Sequence, residues 1–541
     1  MVAANRSAVK LSDGDREAAF LQSRLDEQTT RLNESCRTKV VGRLWLNVLL
    51  VAISVAVCTV AAEFVARYLD TSSDSGPAAR HVDEIAVASG VERAWFFADP
   101  PPLPNRRAIS QEWLELVHKV EQSGVTEGTR RADMFKAWNA NFVGDPCRHA
   151  YLCGAPGHLY LYDPPPGEAR PPYRFLPNAT TPIGLVTNDY GFRGPPVPFA
   201  RQPRTVRIAF IGASTTVGNH YFPYSYPEFI GNWLNMWAAS RKLDVKFEIL
   251  NAGRESITSS DNVAIVRDEV LPLQPDLLVY YEGANQFDLR TLVPDVSSSA
   301  GMAAGDRCPA QPAVSGPAVA SAGWLATLEG ESALVRRVQA LLAAGNPAEG
   351  GGEWPKTDYT LVWPKGVDER NPDITRPDLP VHLSTILHDL DAIRAASNAA
   401  GAELVLASFV WLVKDGMVLH PIRHRSILEY LNQSYAPFRY RDLERLAAFE
   451  NRVFAKYARV HDLGFIDVAR LMPFDPDLFI DAIHNSYAGE RLRAWVFLQG
   501  LVPIVERHLK SGAWPRKVDA AKKPAPAFKP RPITFACTGK S

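Results

Sequence analysis

A serine set among small residues, Gly212-Ala213-Ser214-Thr215-Thr216, and a distant tetrad, Asp481-Ala482-Ile483-His484, carry the residue types that nucleophilic catalysis needs. A serine hydroxyl attacks well when an imidazole takes its proton. The imidazole does so best when a carboxylate fixes its tautomer and stabilises its charged form. Residues three apart can face the same side of one turn, so Asp481 can serve His484 in this way. Two further positions could supply electrophilic help. Gly253 closes an apolar run in Asn251-Ala252-Gly253, and Asn285 closes another in Glu282-Gly283-Ala284-Asn285. The backbone N–H groups of Ser214 and Gly253 and the side-chain amide of Asn285 would make three donors, a set suited to a tetrahedral oxyanion. Each has a plainer reading alone: an N-cap serine, a chance D-x-x-H, a tight turn and a loop cap. His420 and His424 flank Pro421 and do not read as a metal pair, and no H-E-x-x-H is present. The reading therefore calls for no metal and no cofactor.

These residues need a frame that brings them together across the chain. Short apolar runs at 206–211, 245–250, 277–281, 404–411 and 465–468 alternate with helix-period segments at 226–243, 262–271, 381–400 and 441–460. That alternation predicts a parallel sheet covered on both faces by helices, an α/β architecture. In such sheets the ligand site lies beyond the carboxyl ends of the strands. Ser214, Gly253 and Asn285 each follow one of the first three strands. Near a helix N-terminus, the Ser214 turn would also favour developing negative charge. One interruption, 294–378, is rich in Ala, Gly, Ser and Pro and includes Gly350-Gly351-Gly352. An insert of this length reads as a lid or a disordered segment. The tail 511–541 reads as flexible. No internal repeat is visible.

Taken in order, the four blocks resemble those of the SGNH (GDSL-like) hydrolase superfamily. Ser214 in GAST is similar to its nucleophile block and Gly253 in NAGRES to its glycine block. Asn285 in GANQ is similar to its asparagine block. Asp481 and His484 in DAIHNSYAG match its final D-x-x-H block, with Gly489 at the usual place after it. The NDYGFRG stretch at 188–194 is similar to a lead-in common in bacterial members, and the likeness spans 188–509. It implies a three-layer α/β/α, flavodoxin-like sheet, with Ser214, Asp481 and His484 as triad and Ser214, Gly253 and Asn285 as oxyanion hole. Two positions depart from the pattern: Ala213 stands for the GDSL aspartate and Gln286 for the aspartate of GxND. Both lie outside the triad and oxyanion positions. An α/β-hydrolase elbow, G-x-S-x-G, is excluded because Thr216 occupies its second glycine.

The chain has 541 residues; at about 150 per domain that allows three or four units. Hydrophobic residues make up 46% and charged residues 22%, enough for a large core. Lys plus Arg and Asp plus Glu both number 59, a balance unlike that of a nucleic-acid binder. Six cysteines without a C-x-x-C pair exclude a disulfide-framework fold and a cysteine-rich zinc module.

The run 44–66, LWLNVLLVAISVAVCTVAAEFVA, is almost wholly apolar. As a helix it would extend about 34 Å, enough for a bilayer core. The competing reading is a helix buried on every face. Its length and the polar residues before it separate it from a cleaved signal peptide. Arg24, Arg31, Arg37, Lys39 and Arg43 precede it, against Arg67 and Arg80 after it. The positive-inside rule then predicts a single-pass protein with residues 1–43 in the cytoplasm and the remainder outside, in the periplasm. There Cys147, Cys153, Cys308 and Cys537 could form disulfides, Cys147 with Cys153 closing a short loop, or remain free thiols. The expected organisation is a tail at 1–43, a transmembrane helix at 44–66 and a proline-rich lead-in at 67–204 with a helical patch at 111–122. A hydrolase-like domain at 205–510 and the tail at 511–541 complete it.

The expected function is a membrane-anchored, extracytoplasmic serine ester hydrolase. Its substrate would be an ester-bearing small molecule, lipid or glycan, including carbohydrate O-acetyl esters, with no nucleic acid involved. Two alternatives share the sequence features: an O-acetyltransferase acting on exported polysaccharide, and a non-catalytic envelope scaffold that keeps the fold.

Overall fold

Five apolar runs become five parallel strands: β1 (Thr205–Gly212), β2 (Lys246–Asn251), β3 (Leu277–Tyr281), β4 (Glu403–Ala407) and β5 (Gly464–Ile466). They form one sheet in the order β2-β1-β3-β4-β5, with Ile208 paired to Ile249 on one side and to Leu277 on the other. All eight residues of β1 are buried. A strand in the middle of a covered parallel sheet has no solvent face, which is why its sequence is continuously apolar rather than alternating. The computed structural model describes residues 49–65 save 52 and 56, 76–105, scattered positions from 171 to 180, 185–293 save 221 and 256, and 351–517 save 421–423.

Five long helices cover the sheet: α1 (Tyr226–Ser240), α2 (Ser259–Ile265), α3 (Leu383–Ala399), α4 (Tyr440–Val460) and α5 (Tyr487–Lys510). α1 packs on α5, while α3 packs on α2 and α4. Capping boxes start two of them, Ser225 with Glu228 on α1 and Thr258 with Asp261 on α2. Each satisfies two otherwise orphaned N–H groups. Phe210, Tyr226, Tyr281 and Phe497 pack ring against ring between β1, β3, α1 and α5.

Element bounds differ from expectation where side chains capture the backbone. The fourth strand stops at Ala407 instead of 411, because Asn451 takes the N–H of Phe409 at 2.7 Å and donates to its carbonyl at 2.9 Å. α2 is shorter than its hydrophobic period, passing into a π-turn (Val266–Val270) and a 3-10 turn (Leu271–Leu273) that carries Pro272. The tail begins packed: Trp514 stacks on His508 and Arg516 bonds the buried Asp276. Of the insert, 294–350 lies outside the described residues. Residues 351–378 form an irregular strap whose Tyr359, Trp363 and Glu369 engage Arg439, Asp442 and Arg445 of α4 and its N-cap.

The lead-in shares the core of the sheet domain. Trp95, Phe96, Leu185, Phe192 and Val197 are buried in it, and Phe96 contacts the rings of Trp233 and Trp495. Residues 49–65, a separate unit, are helical where described, with Leu49, Val51, Val55, Val60 and Phe64 all more than half exposed. Among the described residues no helix is long and apolar enough to cross a membrane. Positions 44–48, 52, 56 and 66 of the expected span lie outside the described residues. The same holds for the patch at 111–122 and for Cys147, Cys153, Cys308 and Cys537.

Candidate active site

β1 lies between β2 and β3, so the connection from β1 to β2 runs one way along the sheet and the connection from β2 to β3 runs back past β1. This is the topological switch of an open α/β sheet, where a crevice forms beyond the strand ends. Ser214 begins a single helical turn (Ser214–Val217) there. The turn is held on every side. Thr216 Oγ1 donates to the Tyr281 carbonyl at 2.8 Å, and Asn251 Nδ2 donates to the Thr216 carbonyl at 3.0 Å. Arg493 reaches the Thr215 carbonyl at 2.7 Å, its guanidinium lying over the rings of Tyr226 and Tyr281 and paired with Glu490. Arg193, buried, donates to four carbonyls of the loop that follows: Val217 at 2.9 Å, Gly218 at 3.1 Å, Asn219 at 2.9 Å and Phe222 at 2.7 Å.

The tetrad closes over this turn from 270 positions away. His484 Nε2 lies 2.8 Å from Ser214 Oγ, and His484 Nδ1 lies 2.7 Å from Asp481 Oδ2. An ionised carboxylate only accepts, so the Nδ1 proton faces Asp481 and the Nε2 lone pair faces the serine hydroxyl. Asp481 Oδ1 accepts the N–H groups of Ile483 at 2.9 Å and His484 at 2.8 Å, which makes the tetrad a tight turn. Burial alone would push the Asp481 carboxyl up. The charge of His484, its side-chain hydrogen bond and the two backbone N–H groups outweigh burial and hold it below the ordinary carboxylate value.

Backbone contacts place the turn itself. The Ile480 N–H donates to the His484 carbonyl at 2.9 Å, and the Leu412 N–H donates to the Ala482 carbonyl at 2.8 Å. Ser486 caps α5 through the Gly489 N–H at 3.2 Å. A Cβ at Gly489 would strike the Leu478 carbonyl, which explains a glycine inside the first turn of a helix.

The other two sequence-derived positions sit at the neighbouring strand ends. Gly253 backs directly onto the serine turn, where a Cβ would meet Val217 N and would lie 2.9 Å from Thr216 C. Its N–H donates to Asn251 Oδ1 at 3.1 Å. Asn285 is exposed, and its amide donates to the Ile257 carbonyl at 2.8 Å. Gln286, at the departure from the usual motif, accepts the Ser259 N–H at 2.7 Å and so ties the same turn to the start of α2. His424 is engaged elsewhere, with Nε2 on Asp477 Oδ1 at 2.9 Å and Nδ1 accepting the His420 N–H at 3.3 Å. Among the described residues no cluster of His, Cys, Asp or Glu could hold a metal ion.

Sequence reading passed over Arg193, Asn251, Glu490 and Arg493. Arg193 sits inside the NDYGFRG stretch, so its motif was visible while its role was not. Arg493 and Glu490 look like an ordinary solvated i, i+3 pair, and only the fold shows both to be buried.

No protein-family model matches the chain, and no curated protein matches it. Among solved structures, similar ones include a lipase/acylhydrolase from Enterococcus faecalis, at 14% identity over 55% of this chain and 96% of that one, with a TM-score of 0.29. An acetylxylan esterase from Geobacillus stearothermophilus gives 14% identity, 55% and 94% coverage and a TM-score of 0.29. An α/β hydrolase enzyme from the metagenome of Lake Arreo, Spain, gives 14%, 55%, 94% and 0.28. At such identities and TM-scores the likeness says nothing about activity.

Proposed function

We propose that the protein is a serine ester hydrolase of the SGNH type, with Ser214 as nucleophile, His484 as general base and then general acid, and Asp481 as the carboxylate that orients it. One observation carries this reading: the continuous chain Ser214 Oγ, His484 Nε2, His484 Nδ1, Asp481 Oδ2, with steps of 2.8 Å and 2.7 Å. Ser214 Oγ attacks an acyl carbonyl as its proton passes to Nε2. The resulting oxyanion accepts from the Ser214 N–H, the Gly253 N–H and the Asn285 amide. The Gly253 N–H shares its bond with Asn251, and the amide uses its second hydrogen. Collapse expels the alcohol, which takes the proton from His484. A water molecule then gives a proton to His484 and attacks the acyl-serine, which releases the carboxylic acid and restores the hydroxyl.

The apolar run 44–66 and the charges before it support a further part of the reading. The protein is tethered by that segment, with its catalytic unit outside the cytoplasm, and acts on ester-bearing small molecules, lipids or O-acylated glycans. The apolar side chains exposed around residues 49–65 suit a lipid environment.

Turnover of p-nitrophenyl acetate tests the chemistry. Ser214→Ala abolishes it, and a fluorophosphonate probe labels the wild-type protein but not the variant. Full turnover by the folded variant would remove Ser214 from its role.

A further inference from the structure

Beneath the exposed Asn285 lies a pair of carboxyl groups that the reaction does not use. Glu282, at the end of β3, shapes the turn that carries Asn285. Its Oε1 accepts the N–H groups of Asn285 at 2.9 Å and Ala284 at 3.1 Å. The side chain is 1% exposed, and its Oε2 has no hydrogen-bond partner among the described residues. Glu450 approaches from α4, wholly buried. Its Oε2 accepts the Trp411 indole N–H at 3.4 Å, and its Oε1 also lacks a partner. A Cβ on Gly283 would sit 3.0 Å from that Oε1, so the second carboxyl lies directly against the turn. The other titratable groups around the pair are Tyr280 of β3, a buried hydroxyl without a partner among the described residues, Asp389 of α3, and Tyr435, whose ring packs on Trp411. None brings a positive charge.

Two carboxyl groups in a low-dielectric interior cannot both ionise without large cost. The structure distinguishes them. Burial, partly offset by the N–H groups of its own turn, raises Glu282 to about 7. Burial and then the charge of Glu282 push Glu450 well above the ordinary carboxylate value, and among the described residues it has no backbone N–H to hold a charge as Glu282 has. The nested carboxyl keeps the charge and its neighbour keeps the proton.

We propose that Glu282 is a positioning residue for Asn285. Its ionised carboxylate fixes the 283–285 turn, and the protonated Glu450 lets that single buried charge persist. Protonating Glu282 turns two charge-assisted hydrogen bonds into weaker neutral ones. The link from Gln286 to Ser259 keeps the turn attached to α2, so what relaxes is the backbone of 283–285 and with it the aim of the Asn285 amide. The inference rests on the reading of Asn285 as an oxyanion donor.

The test is the ratio of kcat/KM for wild type over Asn285→Ala, measured with p-nitrophenyl acetate from pH 5.5 to 8.5. Any pH dependence that the two proteins share cancels in this ratio. The expected ratio is on the order of 10²–10³ at pH 8 and falls about tenfold by pH 5.5 as the charge on Glu282 is lost. In an E282Q background, which keeps an acceptor but cannot ionise, the same ratio is independent of pH. A large ratio that stays flat in the wild-type background overturns the inference and leaves Asn285 a donor. Persistence of the titration in E282Q overturns it as well. A ratio near one at every pH removes Asn285 itself from the oxyanion hole.

Discussion

Asp481 and Glu282 show how one functional group, the carboxyl, is driven in opposite directions by its surroundings. Asp481 is held ionised by its imidazole and two N–H groups, so its contribution to stability is present above the ordinary carboxylate pKa. That contribution is lost as pH falls through its depressed folded value. Asp481→Asn leaves the turn a side-chain acceptor but favours the wrong imidazole tautomer, and kcat should fall by about 10⁴, as measured by single-turnover acylation. Glu282 runs the other way. It is neutral in both states below about pH 4.5, and folding must ionise it against burial as pH rises through about 7. E282Q should therefore gain stability relative to wild type across that window, on the order of 3 kcal/mol by pH 8. Urea unfolding at pH 4.5 and pH 8 reads this difference; an equal effect at both would show that Glu282 does not titrate there. The positions of Ser214, the tetrad, Gly253 and Asn285 were legible in the sequence because they are tied to short spacings and to strand ends. Glu282 was quoted within its strand end and Glu450 within a helix, but neither could be paired. Nothing along the chain marks two acids 168 positions apart as neighbours.

The serine turn depends on elements packed closely enough to exclude a methyl group. Gly253→Ala would drive Cβ into the backbone of Val217 and Thr216, and Gly489→Ala would drive it into Leu478. Backbone cannot rotate aside as a side chain does, so each should cost about 1–3 kcal/mol or more in urea unfolding. Gly253→Ala should also lower kcat through displacement of the serine. Arg193 acts over a longer reach. One buried guanidinium satisfies four carbonyls, a fork that a lysine ammonium cannot reproduce. Arg193→Lys should therefore lose most of the clamp, with kcat falling more than KM changes and a stability loss of about 3–5 kcal/mol for Arg193→Ala. The strands were readable as apolar runs and the helices as periodic segments. Their ends were not, because Asn451 takes the backbone just beyond β4 and α2 gives way at Val266 to π and 3-10 turns, effects that carry no periodic signal.

The lead-in, the sheet and its helices form one body around one core. The sequence placed a boundary near 204, where composition changes. The structure gives the preceding stretch buried aromatics and the Arg193 clamp, so a shift in composition here marks a change of backbone regularity within a shared core. A reporter fused after residue 541 and a second fused within 1–43 test the proposed topology: protease added to intact cells stripped of their outer membrane should remove the first and spare the second. Loss of neither would place the whole chain inside.

The helix that follows the tetrad is the last element of the sheet domain, and the serine it serves follows the first strand. Synthesis runs from the amino terminus, so a growing polypeptide displays its hydroxyl while the imidazole has yet to be made. On the proposed chemistry, any product shortened by an early stop before codon 484 would be silent, and a half-finished molecule passing through the cell would have no means of cutting the esters it meets on the way.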